Sequence, residues 1–213
     1  MDFGEKVERD HSGRVFELAQ RGSSLTRTAL LFYLGMTGIA FLWRAVWQAE
    51  PMLFTTDVER QIGVHFWRDG AVGLALGLLV VGLSQIWTEK TRWGQGLALR
   101  LSEMVGGLSR SQCLILAVAS GVGEEFFFRG ALQPVVGLLL ASALFGGMHF
   151  GPGREWLPWT GFAVIMGLGF GLLYEMTGNL WAPIVAHSVI NGINLPRLVR
   201  LHAEVSFDSA PEG

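Results

Sequence analysis

Charge is scarce in this sequence: Asp, Glu, Lys and Arg make up only 16% of its 213 residues, against about 25% in a typical soluble domain. Cysteine is scarcer still. Cys113 is the single one, which excludes an internal disulfide and is too isolated for a thiolate metal site. No HExxH run is present, so the helical histidine pair that holds many catalytic zinc ions is missing in that form. Basic clusters are absent as well, and a net charge of −2 leaves no electrostatic footprint for nucleic acid. Neither an internal repeat nor a low-complexity linker divides the chain, so one domain is the simplest organisation.

What is there is apolar. Half of the residues are hydrophobic and the mean hydropathy is +0.39. They gather in six blocks: Ala29–Trp47, Ala71–Trp87, Gln112–Phe128, Val135–Phe150, Thr160–Met176 and Leu180–Leu195. A bilayer is crossed by about 20 apolar residues, and about 17 suffice. A soluble fold would need these blocks as nearly charge-free helices without a polar face, which a chain of this size does not support. The expected fold is therefore all-α, a polytopic membrane bundle of about six transmembrane helices.

Residues 1–27 carry acids and bases in equal number, and the apolar block after them starts too late and runs too long for a signal peptide. They read as a cytoplasmic juxtamembrane segment, 28–196 as the transmembrane bundle and 197–213 as a polar tail. With the N-terminus inside, twelve Lys and Arg residues fall on the cytoplasmic side, and outside only Arg60 and Arg68. That asymmetry places both termini in the cytoplasm. The eight tryptophans fall at or near span ends, as interfacial aromatics do. Compact size and the lack of a targeting segment suit a prokaryotic inner membrane.

Against this background GVGEEFFFRG, residues 121–130, stands out: two acids and a base interrupt an apolar run. A charged residue at a bilayer centre costs about 2.5–3.5 kcal/mol even on lenient scales, so such groups pair or line a cavity. On a helix, Glu125 and Arg129 share a face with the acid on the N-terminal side, the better order for an ion pair. Glu124 points about 100° away, and its own helix offers only Phe127 and Phe128 at i+3 and i+4. Glu125 is thus provided for locally, while Glu124 must look to another helix. A structural polar knot would account for paired groups. An unpaired carboxylate in an apolar surround is also a candidate general base.

Of five histidines, His11, His65 and His202 lie outside the blocks. His149 closes ALFGGMH, and His187 sits in WAPIVAHSVIN. His187 and Asn191, four apart, face one side of the last span, and Phe145 stands at the same spacing from His149, where its ring can orient the imidazole. The glycines of GLGFGLLYEMTGN lack the strand and soluble helix of a nucleotide loop, and read as close-approach residues between membrane helices. Glu175 beside them is left unassigned. Glu, His and Asn also build ion or proton pathways, although transporters more often show internal repeats.

Taken in order, GEEFFFRG, FGGMH and HSVIN resemble the EExxxR, FxxxH and HxxxN motifs of the CPBP family, the CAAX-protease and bacteriocin-processing (Abi) intramembrane endopeptidases. The resemblance covers residues 111–196. It implies a peptidase with a water-accessible cavity, acting on a membrane-associated or lipidated protein or peptide among membrane lipids. It also implies that Glu124 activates water, that His149 assists, and that His187 and Asn191 stabilise the oxyanion. Glu125 and Arg129 then match the second acid and the arginine, in a structural or orienting role with Phe145. No cofactor is favoured; the rival is a zinc ion held by Glu124, His149 and His187 with an open fourth position. A non-catalytic binding or immunity protein is the other alternative, though every signature position is filled.

Depth poses a difficulty. With the turn between the third and fourth spans at Gln133–Pro134, Glu124 lies nine residues from it and His149 fifteen. In straight helices that separates them by roughly 9 Å along the membrane normal. A turn nearer Gly137 levels the two but shortens the fourth span.

Overall fold

The computed structural model describes residues 3–48 and 52–208. Helices α1 (Phe3–Trp43), α2 (Asp57–Ile62), α3 (Phe66–Lys90), α4 (Arg92–Val105), α5 (Arg110–Glu125), α6 (Gln133–Gly147), α7 (Leu157–Thr177) and α8 (Trp181–Asp208) follow in order. Among the described residues there is no strand, only an isolated bridge between Phe54 and Asn179. Segments 16–46, 66–90, 110–147 and 154–177 are long and apolar enough to cross a membrane. Leu31, Leu34, Leu79, Leu83, Ile165 and Met176 on these segments are exposed. So large an apolar surface belongs against lipid rather than water, and the chain is an integral membrane protein. Helix α8 carries His187, Asn191 and Asn194, and these polar residues dilute its apolar character.

The third and fourth apolar blocks form one helical run, 110–147, with a hairpin inside it. Ser109 and Gln112 close a capping box that starts α5. Beyond Glu125 the chain turns π-helical over Phe126–Leu132, with Gln133 N–H donating to the Phe128 carbonyl five residues back. Pro134 supplies the reason: it has no N–H for the carbonyl four residues before it, so the ladder slips by one. At Gly137 the backbone leaves the helix (φ 81, ψ 165), a region that only glycine occupies without strain. The turn is therefore at Gly137, not at Gln133–Pro134. Glu124 precedes it by thirteen residues and His149 follows it by twelve, which removes the depth mismatch. The helix of the fourth block is then only 138–147, about 15 Å long, roughly half of a hydrocarbon core.

Helix α8 holds the bundle together. Gly73 and Gly77 of α3 let it approach so closely that a Cβ at Gly77 would lie 2.9 Å from Val189 Cγ1. At its start, Asn179 donates to Asp69 Oδ2 at 2.8 Å and accepts from Trp181 N at 3.0 Å. At its end α8 continues to Asp208, through residues expected as a polar tail. The reason is packing: Asn194, Leu198 and Leu201 continue one helical face that shares a cavity with α4. Similarly, α1 runs unbroken through residue 27.

Candidate active site

The core gathers Phe128, Phe145, Phe170 and Leu173 with Ala182 and Ala186, and the ionisable groups are set into it. Arg129 and Glu125 are fully buried and bonded at 3.0 Å, the i,i+4 pair read from the sequence. The second Arg129 nitrogen donates to the Gly167 carbonyl at 3.0 Å, and the guanidinium stacks 4.4 Å from the Phe145 ring centre. Gly167 also lets α7 pack closely on α6, since a Cβ there would lie 2.9 Å from Ser142 Cα. Glu125 has a further role that the spacing did not reveal. Its Oε1 also accepts from His187 Nδ1 at 2.8 Å, fixing that ring, which in addition stacks on Phe170 at 5.0 Å.

Glu124 finds its neighbours on other helices. Its buried Oε2 has no hydrogen-bond partner and stands 4.0 Å from His149 Nε2 and 3.9 Å from His187 Nε2. Tyr33 of α1 lines the same cavity beside this carboxylate. No motif pointed to Tyr33; being one of only two tyrosines was the sole signal. His149 Nδ1 lies 2.8 Å from the Phe145 carbonyl. A carbonyl can only accept, so Nδ1 carries a hydrogen, and Nε2 is the nitrogen that faces Glu124. The Phe145 ring packs 4.8 Å from the imidazole, as its spacing anticipated. Asn191 enters the same cavity and donates to Ser120 Oγ at 2.8 Å. Glu175 lies apart, bonded to Gln133 Nε2 at 2.9 Å.

These groups sit at one end of a cavity of about 510 Å³. Its walls are largely apolar and come from α1 and from α3 to α8. The contribution of α4 was not foreseen, because its residues read as an inside loop. Thr91 caps it, accepting from Gly94 N at 2.9 Å, and Leu97, Leu101 and Val105 face the cavity.

Comparison with known proteins converges on the same segment. Residues 107–193 match the family of type II CAAX prenyl endopeptidases described as Rce1-like. A Bacillus subtilis protein, the uncharacterized protein YpbD, is 38% identical over 82 residues, which make up 38% of this chain and 42% of that protein. The chain thus matches less than half the length of this curated relative. No solved structure matches. Every group of the candidate site except Tyr33 lies within the segment, residues 107–193, that matches the Rce1-like family, which is the CPBP family.

Proposed function

We propose that this protein is an intramembrane endopeptidase that hydrolyses a peptide bond in a membrane-associated or lipidated protein or peptide, with Glu124 as the base that activates water. One observation carries the reading: a buried, unpartnered carboxylate oxygen stands 3.9 and 4.0 Å from two imidazole nitrogens. These gaps are too long for direct hydrogen bonds, yet a water about 2.8 Å from each group fits between them. That water gives one hydrogen to Glu124 and the other to the lone pair of His149, and turns its own lone pair toward the substrate carbonyl. As its oxygen bonds to carbon, Glu124 takes the proton and later delivers it to the leaving amine. In its doubly protonated form His187 donates Nε2–H to the oxyanion, and Glu125 stabilises that cation through Nδ1. The second Nδ2 hydrogen of Asn191 joins it. A single such donor is typically worth about 10²–10³ in kcat.

Zinc ligands at about 2.0–2.2 Å around a tetrahedral ion stand about 3.3–3.6 Å from one another. The separations from Glu124 are wider, and among the described residues no group of His, Cys, Asp and Glu is arranged to hold a metal ion. No step of the proposed reaction runs through a metal.

In the membrane, the proposed bundle has six crossings and a polar cavity, with both termini on the cytoplasmic side of a prokaryotic inner membrane. The fourth crossing combines helix 138–147 with the irregular chain after it. Non-helical backbone is tolerated at that depth where it lines a cavity. Helix α4, with Trp93 and Met104 exposed, lies along the cytoplasmic interface at the cavity mouth. The test is cleavage of a prenylated-cysteine peptide by the purified chain in liposomes. Cleavage that is lost in Glu124→Gln and unaffected by a zinc chelator supports the reading. Cleavage that persists in Glu124→Gln overturns it.

A further inference from the structure

Glu124 cannot hold its aim alone. Its Oε2 stands 3.9 and 4.0 Å from the two imidazoles and has no hydrogen-bond partner. The terminal torsion of a glutamate is broad and roughly two-fold, so nothing within the side chain keeps that oxygen on the histidines. Arg129 and His187 Nδ1 are engaged with Glu125, and the Asn191 amide donates to Ser120. The donor beside the carboxylate is the phenol of Tyr33, which lines the same cavity.

Two contacts fix where that phenol stands. Gly123, the residue before Glu124, lets α1 lie against α5: a Cβ there would meet Tyr33 Cβ at 3.0 Å and the Tyr33 carbonyl oxygen at 3.1 Å. The half-buried Tyr33 side chain also packs against the core cluster that includes Phe128 and Phe145. A tyrosine has only two χ angles to immobilise, so its hydroxyl is a donor at a defined place. The other tyrosine is engaged elsewhere, with the Tyr174 hydroxyl donating to the Phe54 carbonyl at 3.1 Å.

We infer that Tyr33 is a positioning residue for the proposed reaction: its hydroxyl donates to Oε1 of Glu124 and holds the carboxylate with Oε2 turned to His149 and His187. This inference rests on the proposed peptidase reading. Oε1 is the acceptor because Oε2 is the oxygen without a partner. An O–H bond to an ionised carboxylate is roughly twice as strong as one between neutral groups, and it leaves the second oxygen to take the proton from water. It also brings α1, which lies outside residues 107–193, into the active site.

Two readouts test it, one of them independent of cleavage. The chain has only two tyrosines, so with an NMR-active carbon at tyrosine Cζ the full-length protein in nanodiscs gives two phenol signals, assigned by Tyr33→Phe. Glu124→Gln should move the Tyr33 signal and leave that of Tyr174 in place. Cleavage of a prenylated-cysteine peptide in liposomes is the second readout. Tyr33→Phe should lower kcat about ten- to a hundred-fold with KM nearly unchanged, the range of one hydrogen bond to a charged group. In place of Tyr33, para-aminophenylalanine keeps the size and a donor and should recover part of the rate. The para-methyl analogue keeps the size alone and should not. An unmoved Tyr33 signal, or equal rescue by the two analogues, overturns the inference. Cleavage that is lost in Glu124→Gln yet unaffected by Tyr33→Phe removes the role of Tyr33 and leaves the peptidase. A signal that moves in a chain that cleaves no peptide keeps the contact and removes the reaction, and the positioning role with it.

Discussion

Neutralising Glu125 and Arg129 one at a time and then together separates their stabilising role from their role at His187. Both side chains are almost completely buried, at 0% and 1% exposure, and no water can replace a lost partner. Removing one member of a buried pair leaves an uncompensated charge and typically costs about 3–5 kcal/mol. Glu125→Gln strands the guanidinium, which keeps only the Gly167 carbonyl and the face of Phe145. Arg129→Met strands the carboxylate, which keeps only His187. In the double variant the Gln oxygen still accepts from His187 Nδ1, and Met fills the space between the aromatic rings. The double loss should therefore be no larger than either single loss, a coupling of about 3 kcal/mol or more. Reversible unfolding in mixed detergent micelles measures the cycle. Activity gives the second reading: the folded double variant should lose kcat, because a neutral amide no longer stabilises a charged His187. Additive single losses would refute the buried pair, and full activity in the double variant would refute the role of Glu125 in positioning His187.

Gly137→Ala places a side chain at φ 81; it should cost about 1–3 kcal/mol and slow cleavage by shifting His149 against Glu124, as read by thermal unfolding and initial rates. Asn191→Ala should lower kcat by about 10²–10³ with a small change in KM, whereas a pure packing role would lower stability and leave kcat alone. Phe145→Ala empties a buried site between Arg129, His149 and His187 and should cost about 3–5 kcal/mol in the same unfolding assay.

The helical character of the fold and its membrane setting were legible because long apolar blocks have few other uses. The pairing of Glu125 with Arg129 was legible because it depends only on spacing within one helix. Bringing Glu124, His149 and His187 together required three separate helices, and the ordered motifs signalled it where local geometry could not. The bond from Glu125 to His187 and the contact from Tyr33 to Glu124 join residues far apart in sequence, and no periodicity announces them. The sequence left the turn open between Gln133–Pro134 and Gly137, because Pro134 and Gly137 both break a regular helix. Here the chain absorbs the proline in a π-helical stretch and reverses three residues later, at the glycine. Helix α4 was overlooked because an amphipathic helix at an interface has the composition of a charged loop.

The central claim is tested most directly by comparing new protein termini in membranes of cells carrying this protein or its Glu124→Gln form. Glutamine keeps the shape of the side chain and cannot take a proton from water. The account predicts termini that are present with the unsubstituted protein and missing with Glu124→Gln, at equal protein level and unchanged topology. Identical sets of termini under several growth conditions would contradict it, leaving Glu124 as a packing or ion-binding carboxylate in a non-catalytic membrane protein.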